Sequence, residues 1–174
     1  MSGDASPLPS GDTTTAAELE LQAAGVGYAL PPPIKGAQSL EEFAAKSGLR
    51  PSQVLKSLLL DIDGERYAML LLGGDREADF ASLRRRFSAR SVRLADRDAV
   101  ESVTGYRIGT VTPFGLRSTG LPILIDEASL SEAVVSIGTG VSGRHVRLSP
   151  AELAQALKAQ SGTFSRPTAN GRSS

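Results

Sequence analysis

The chain has no cysteine, no tryptophan and a single histidine. Without cysteine there is no disulfide framework, no thiol nucleophile and no thiolate site for zinc or an iron–sulfur cluster. One histidine cannot build a multi-histidine metal centre, and it makes a Ser–His–Asp triad a poor expectation. Aromatic residues make up only 5% of the chain, so stacking bases on a row of rings is not the expected way of meeting nucleic acid. Neither charge prevails: 19 Lys and Arg face 19 Asp and Glu, which excludes a strongly basic coat and leaves room for a local basic patch. No apolar run approaches the roughly 20 residues that span a bilayer; Leu58–Leu60 and Met69–Leu72 are strand-sized. Met1–Asp12 carries no basic n-region and no apolar h-region. A cytoplasmic protein with no membrane partner is expected.

What is present fits one domain, since 174 residues lie within the usual range of about 100–200 per domain. Residues 1–14 and 161–174 are rich in Ser, Gly, Pro and Thr and lack apolar periodicity, which predicts disordered tails around a folded unit at 15–160. Thr15 with Glu18, and Ser39 with Glu42, have the spacing of capping boxes, and Gly25 and Gly48 are placed to stop the helices that follow. In the first helix Leu19 and Ala23 are expected to face inward. Tyr28-Ala29-Leu30 reads as a short strand ahead of three prolines. Asp63-Gly64 between Val54–Ile62 and Arg66–Leu72 is a strong hairpin signal. Helices are expected after Asp79, Asp96 and Ser149, and short strands at Ser91–Leu94, Ile123–Asp126, Ala133–Ile137 and His145–Leu148. An antiparallel hairpin interleaved with helices favours α+β with a mixed sheet over a doubly wound parallel one.

Gly138-Thr-Gly140-Val-Ser-Gly143 spells a dinucleotide fingerprint. That motif needs a helix to open at its end, whereas His145–Leu148 alternates like a strand and Pro150 follows, so a nicotinamide cofactor is rejected. A glycine turn whose bare backbone can approach a ligand remains, as does a plain hairpin turn. A second cluster, Gly105, Gly109, Pro113, Gly115, Gly120 and Pro122, lacks the Lys-Ser or Lys-Thr of a phosphate-binding loop. Its backbone N–H groups suit an oxyanion, or it is a wide surface loop. Lys56, one of only four lysines, sits in a strand on the same face as Val54, Leu58 and Leu60. A lysine there is costly unless it is needed or snorkels to water. Arg84, Arg85, Arg86, Arg90, Arg93 and Arg97 form a basic run suited to phosphates or to a solvated helix face.

Four stretches, taken together, resemble a known family. They are Gln53-Val-Leu-Lys56-Ser-Leu-Leu-Leu60, Thr104-Gly-Tyr-Arg-Ile-Gly109-Thr-Val-Thr-Pro113-Phe-Gly115, Leu121-Pro-Ile-Leu-Ile-Asp126 and Ile137-Gly-Thr-Gly140. In order and spacing they are similar to the YbaK/EbsC-type aminoacyl-tRNA deacylases, relatives of the editing domain inserted in bacterial prolyl-tRNA synthetase. The resemblance runs from about Tyr28 to Leu157. It implies a mixed, partly barrel-like sheet flanked by helices, and hydrolysis of the ester that joins a wrong amino acid to the 3′ acceptor end of a tRNA, with tRNA-Pro one candidate. It implies Lys56 as the lysine that holds the terminal nucleotide. It implies a substrate pocket shaped by Tyr28, by Gly109, Pro113, Phe114 and Gly115, and by Gly138, Thr139, Gly140 and His145. No cofactor or metal and no DNA partner is implied, while an aminoacyl-tRNA synthetase is a further candidate partner. The chain departs from the family pattern at Leu30–Gly36 and at His145, where relatives can carry an acidic residue. Three readings follow: a free-standing deacylase, a non-catalytic tRNA- or partner-binding module on the same fold, and a small-molecule ester or amide hydrolase.

Overall fold

The computed structural model of the protein describes residues 14–169. Its centre is the hairpin of β1 (Leu55–Ile62) and β2 (Arg66–Gly73), paired antiparallel from Leu55↔Gly73 to Ile62↔Arg66. The chain reverses over Asp63, Gly64 and Glu65: Asp63 and Gly64 both take positive φ, 57° and 72°, and the Glu65 N–H closes the turn by donating to the Ile62 carbonyl at 3.1 Å. Edge strand β4 (Val92–Leu94) pairs antiparallel with β1; β5 (Ile123–Asp126) joins β2 in parallel and β8 (Gln160–Gly162) joins β5 in parallel. The order β4-β1-β2-β5-β8 makes a mixed sheet. Two small pairs flank it: β3 (Arg76–Ala78) with β9 (Ser165–Pro167), and β6 (Val135–Gly138) with β7 (His145–Leu148). A parallel bridge from Val54 to Ser136 attaches the second pair to the start of β1. No continuous ladder among the described residues closes it into a ring.

Helices cover both faces, which makes the fold α+β with a mixed sheet, as expected. They are α1 (Ala16–Ala24), α2 (Leu40–Ser47), α3 (Phe80–Phe87), α4 (Arg97–Thr104), α5 (Glu127–Leu130) and α6 (Pro150–Leu157). Alternation along the strands sorts the core. Leu55, Leu59, Met69, Leu71 and Ile125 pack with α1, α6 and Phe114, while Leu60, Ile62, Leu70, Leu72 and Leu124 pack with Leu83 of α3 and with Phe164. Central β2 is covered on both sides, and this accounts for its unbroken apolar run from Ala68 to Leu72. No helix among the described residues is long and apolar enough to cross a membrane.

Three expectations are corrected. In α1 the buried residues are Ala17, Glu18 and Leu21, whereas Leu19 is 58% exposed and Ala23 is exposed. The helix is apolar on several sides, and contact with α6 selects the face. Tyr28-Ala29-Leu30 makes one isolated bridge, Ala29 to Arg147, because the prolines that follow cannot extend a ladder. Residues 161–169, expected as a disordered tail, form a strap: β8 and β9 pair with β5 and β3, and Phe164, 3% exposed, fills the core between them. The folded unit therefore runs past residue 160. Residues 1–13 and 170–174, the remainder of the two expected tails, lie outside the described residues.

Candidate functional site

A cleft of about 700 Å³ opens at the N-terminal end of β1. Val54–Leu58 make its floor, α2 and the Ile34–Ala37 segment one wall, Gly109–Val111 another, and the β6–β7 hairpin with its turn the third. Five of the residues expected at a site line it: Lys56, Gly109, Gly138, Gly140 and His145. The turn is held by Thr139, whose N–H donates to the Arg144 carbonyl at 3.1 Å. Thr112 fixes the neighbouring strand end by donating its hydroxyl to the Gly138 carbonyl at 2.8 Å. Gly140 has φ 92°, and a Cβ there would lie 2.6 Å from the Tyr106 ring, so only glycine lets the two loops meet. The N–H groups of Gly109 and Gly140 make no hydrogen bond within the described residues, leaving donors at the cleft for a ligand oxygen.

Lys56 is half-buried, and its Nζ donates to the carbonyl oxygen of Arg76. Burial pushes its pKa below the ordinary lysine value; the carboxylates of Asp75, Glu41 and Glu77 pull the other way. None of the three forms an ion pair with it. This is an ammonium kept partly dry, with attraction nearby but no direct partner charge. His145 is 3% exposed, its ring edge-on to Phe43 with centroids 4.9 Å apart. Neither ring nitrogen has a hydrogen-bond partner. Burial lowers its pKa, with the nearby Gly143 backbone opposing and Arg147 reinforcing the shift. The imidazole is therefore neutral near pH 7.

The other expected residues lie outside the lining of this cleft. Tyr28 accepts a hydrogen bond from Gln22 Nε2 at 2.8 Å. Phe114 is fully buried in the core, Pro113 borders a separate cavity of about 300 Å³, and Gly115 donates its N–H to Glu20 at 2.6 Å. Thr139 is 2% exposed and serves the turn from within. Conversely, α2 brings Ser39, Leu40 and Phe43 to the cleft, and β6 brings Ser136, whose hydroxyl is buried without a partner. Nothing in the α2 sequence points to this role; its place at the cleft is a tertiary fact. The arginine run lies elsewhere. Arg93 pairs with Asp61 at 2.8 Å, five residues along β1 from Lys56 and hence about 17 Å away. Among the described residues no group of three or more His, Cys, Asp or Glu is clustered to hold a metal ion.

Residues 34–156 match the profile of the aminoacyl-tRNA editing domain. The chain belongs to that family. The editing domain is 29% identical over 139 residues to the proline--tRNA ligase of Halalkalibacterium halodurans, covering 75% of this chain and 24% of the ligase. With the ligase of Nitratidesulfovibrio vulgaris (strain DP4) it shares 32% identity over 115 residues, 66% of this chain and 20% of the ligase. It thus spans about a quarter or less of these relatives. Among solved structures it is similar to a hypothetical protein (26% identity, TM-score 0.79, covering 87% of this chain and 99% of that one). It is also similar to a candidate trans-editing enzyme for prolyl-tRNA synthetase (25% identity, TM-score 0.73, covering 87% and 95%). The cleft lies within the matched residues from Ile34 to His145.

Proposed function

We propose that this editing domain acts in trans as a deacylase, hydrolysing the ester of a mischarged tRNA in the cleft beside Lys56. The observation that carries the reading is Lys56 itself: a half-buried ammonium among apolar neighbours, facing loops with unengaged backbone N–H groups. In this reading the ammonium holds the phosphate of the terminal nucleotide. The N–H groups of Gly109 and Gly140 stabilise the oxyanion that develops as water adds to the ester carbonyl. The acyl–oxygen bond then breaks, the ribose hydroxyl leaves with a proton, and free amino acid and tRNA result. An aminoacyl ester is already activated, so orienting water and ester accounts for much of the rate. In this reading a neighbouring ribose hydroxyl of the substrate assists in passing the proton. The resemblance to proline--tRNA ligases favours tRNA-Pro carrying a wrong amino acid as substrate. The test is release of labelled amino acid from a panel of mischarged tRNAs, by wild type and by Lys56→Ala. Hydrolysis by wild type alone is expected. Tight binding of the same tRNAs without hydrolysis would make the fold a binding module instead.

A further inference from the structure

We propose that the C-terminal strap, β8 and β9 with the loop between them and Thr168 after them, positions Lys56 through the backbone of Arg76. A lysine side chain has four rotatable bonds and keeps one orientation only where its ammonium is anchored. Here the anchor is the Arg76 carbonyl, at the start of a three-residue strand whose only ladder among the described residues is with β9. So short a strand does not hold its shape alone. The strap fixes it from several sides. Thr168 donates its N–H to the Asp75 carbonyl at 3.0 Å, engaging the peptide just before Arg76. The Arg76 guanidinium donates Nε to the Ser165 hydroxyl at 2.5 Å and Nη2 to the Ser165 carbonyl at 3.2 Å. Its Nε is also 3.6 Å from Asp126, whose carboxylate is 1% exposed and accepts the Phe164 N–H at 2.9 Å. Strap, guanidinium and Asp126 make one network that places the carbonyl under Lys56.

The strap begins at residue 160, beyond the 34–156 that match the family profile. This chain therefore supplies part of the support of its cleft from outside the matched region. Ser165 and Arg76 act on Lys56 without lining the cleft, which makes them positioning residues. The inference rests on the reading of Lys56 as the lysine of the site.

With only four lysines in the chain, side-chain nitrogen resonances of the full-length protein are simple to assign, using Lys56→Arg to identify the signal. An ammonium held by a carbonyl in a half-buried place exchanges its protons slowly and gives a cross peak in the cold at mildly acid pH. The Lys56 peak is expected in wild type, lost in Ser165→Ala and in Arg76→Gln, and restored in Ser165→Thr, which keeps the hydroxyl. On any mischarged tRNA that wild type hydrolyses, kcat/KM should fall by about tenfold or more in the first two variants, as misplacement of a reacting assembly does. Ser165→Ala leaves Phe164 in the core, so it decides the matter if Arg76→Gln does not fold. A Lys56 peak unchanged in both variants overturns the proposal, even where deacylation is intact. A peak that depends on Ser165 in a protein that hydrolyses no mischarged tRNA leaves the positioning standing and removes the deacylase reading.

Discussion

Lys56 and His145 each place an ionisable group where water is scarce, and each leaves a signature in stability against pH. Burial lowers the Lys56 pKa, so between its folded value and the ordinary one near 10.4 the unfolded chain binds the proton better. Stability therefore rises with pH across that interval, and below it wild type carries the whole cost of the dry ammonium. Lys56→Met removes that cost but leaves the Arg76 carbonyl without its donor. It is expected to melt at or slightly above wild type at pH 7, with the advantage shrinking as the pH climbs toward the ordinary lysine value. A drop of ten degrees at pH 7 would show instead that the hydrogen bond to Arg76 outweighs the desolvation. For His145 the folded pKa is again the lower one. Its contribution is present above the ordinary value near 6.5 and is lost as the pH falls from there toward the folded value. Wild type should lose melting temperature over that range, and His145→Gln should flatten the slope. Parallel slopes in the two proteins would assign the loss to carboxylates.

At the level of elements, the β1–β2 hairpin and the C-terminal strap are opposite cases. The hairpin is written locally: a turn at Asp63-Gly64 between two adjacent apolar stretches brings them together, and the structure pairs them throughout. The strap is written almost nowhere. Its composition is that of a tail, and one residue, Phe164, does most of its packing, against a core that includes Leu70, Leu83 and Leu124. Its backbone partners are distant, with Asp79 donating to the Phe164 carbonyl at 2.8 Å and Arg166 reaching Glu77 across 89 residues of chain. Phe164→Ala should cost about 3–5 kcal/mol, the usual range for emptying a buried aromatic site. Urea unfolding of the full chain measures it. A cost under about 1 kcal/mol would mean that the strap lies on the core without being part of it.

The whole molecule carries no net charge, so attraction for a polyanion has to come from local placement. Arg84 and Arg85 are exposed at the C-terminal end of α3, where they also complement the helix dipole. Arg86 and Arg93 are engaged with Gln160 and Asp61. If the 3′ end of a tRNA enters the cleft, the exposed Arg84 and Arg85 of α3 are cations of the run that the acceptor stem can meet. Replacing Arg84 and Arg85 with Ala is then expected to weaken tRNA binding and to reduce the slope of log affinity against log salt by roughly one unit per lost contact. An unchanged slope would leave these arginines as a solvated face that serves the helix alone.

Composition and local pattern by themselves determined that this is a single α+β unit, where its caps and central hairpin lie, and that Lys56 is an anomaly on an apolar strand. Each of these depends on neighbours within a few residues: an Asp-Gly turn, a Thr15–Glu18 box, alternation along β1. Only the tertiary structure decided which side of α1 is buried, that α2 walls the cleft, that Phe114 belongs to the core, and that residues 160–167 fold back to brace Arg76. Ala16, Ala17, Leu19 and Leu21 give α1 apolar residues on several sides, and contact with α6 decides among them. The strap's pairing with β3 depends on segments some 89 residues apart meeting across a sheet. No spacing along the chain encodes that meeting; it exists only once β5 and the core around Phe164 are in place.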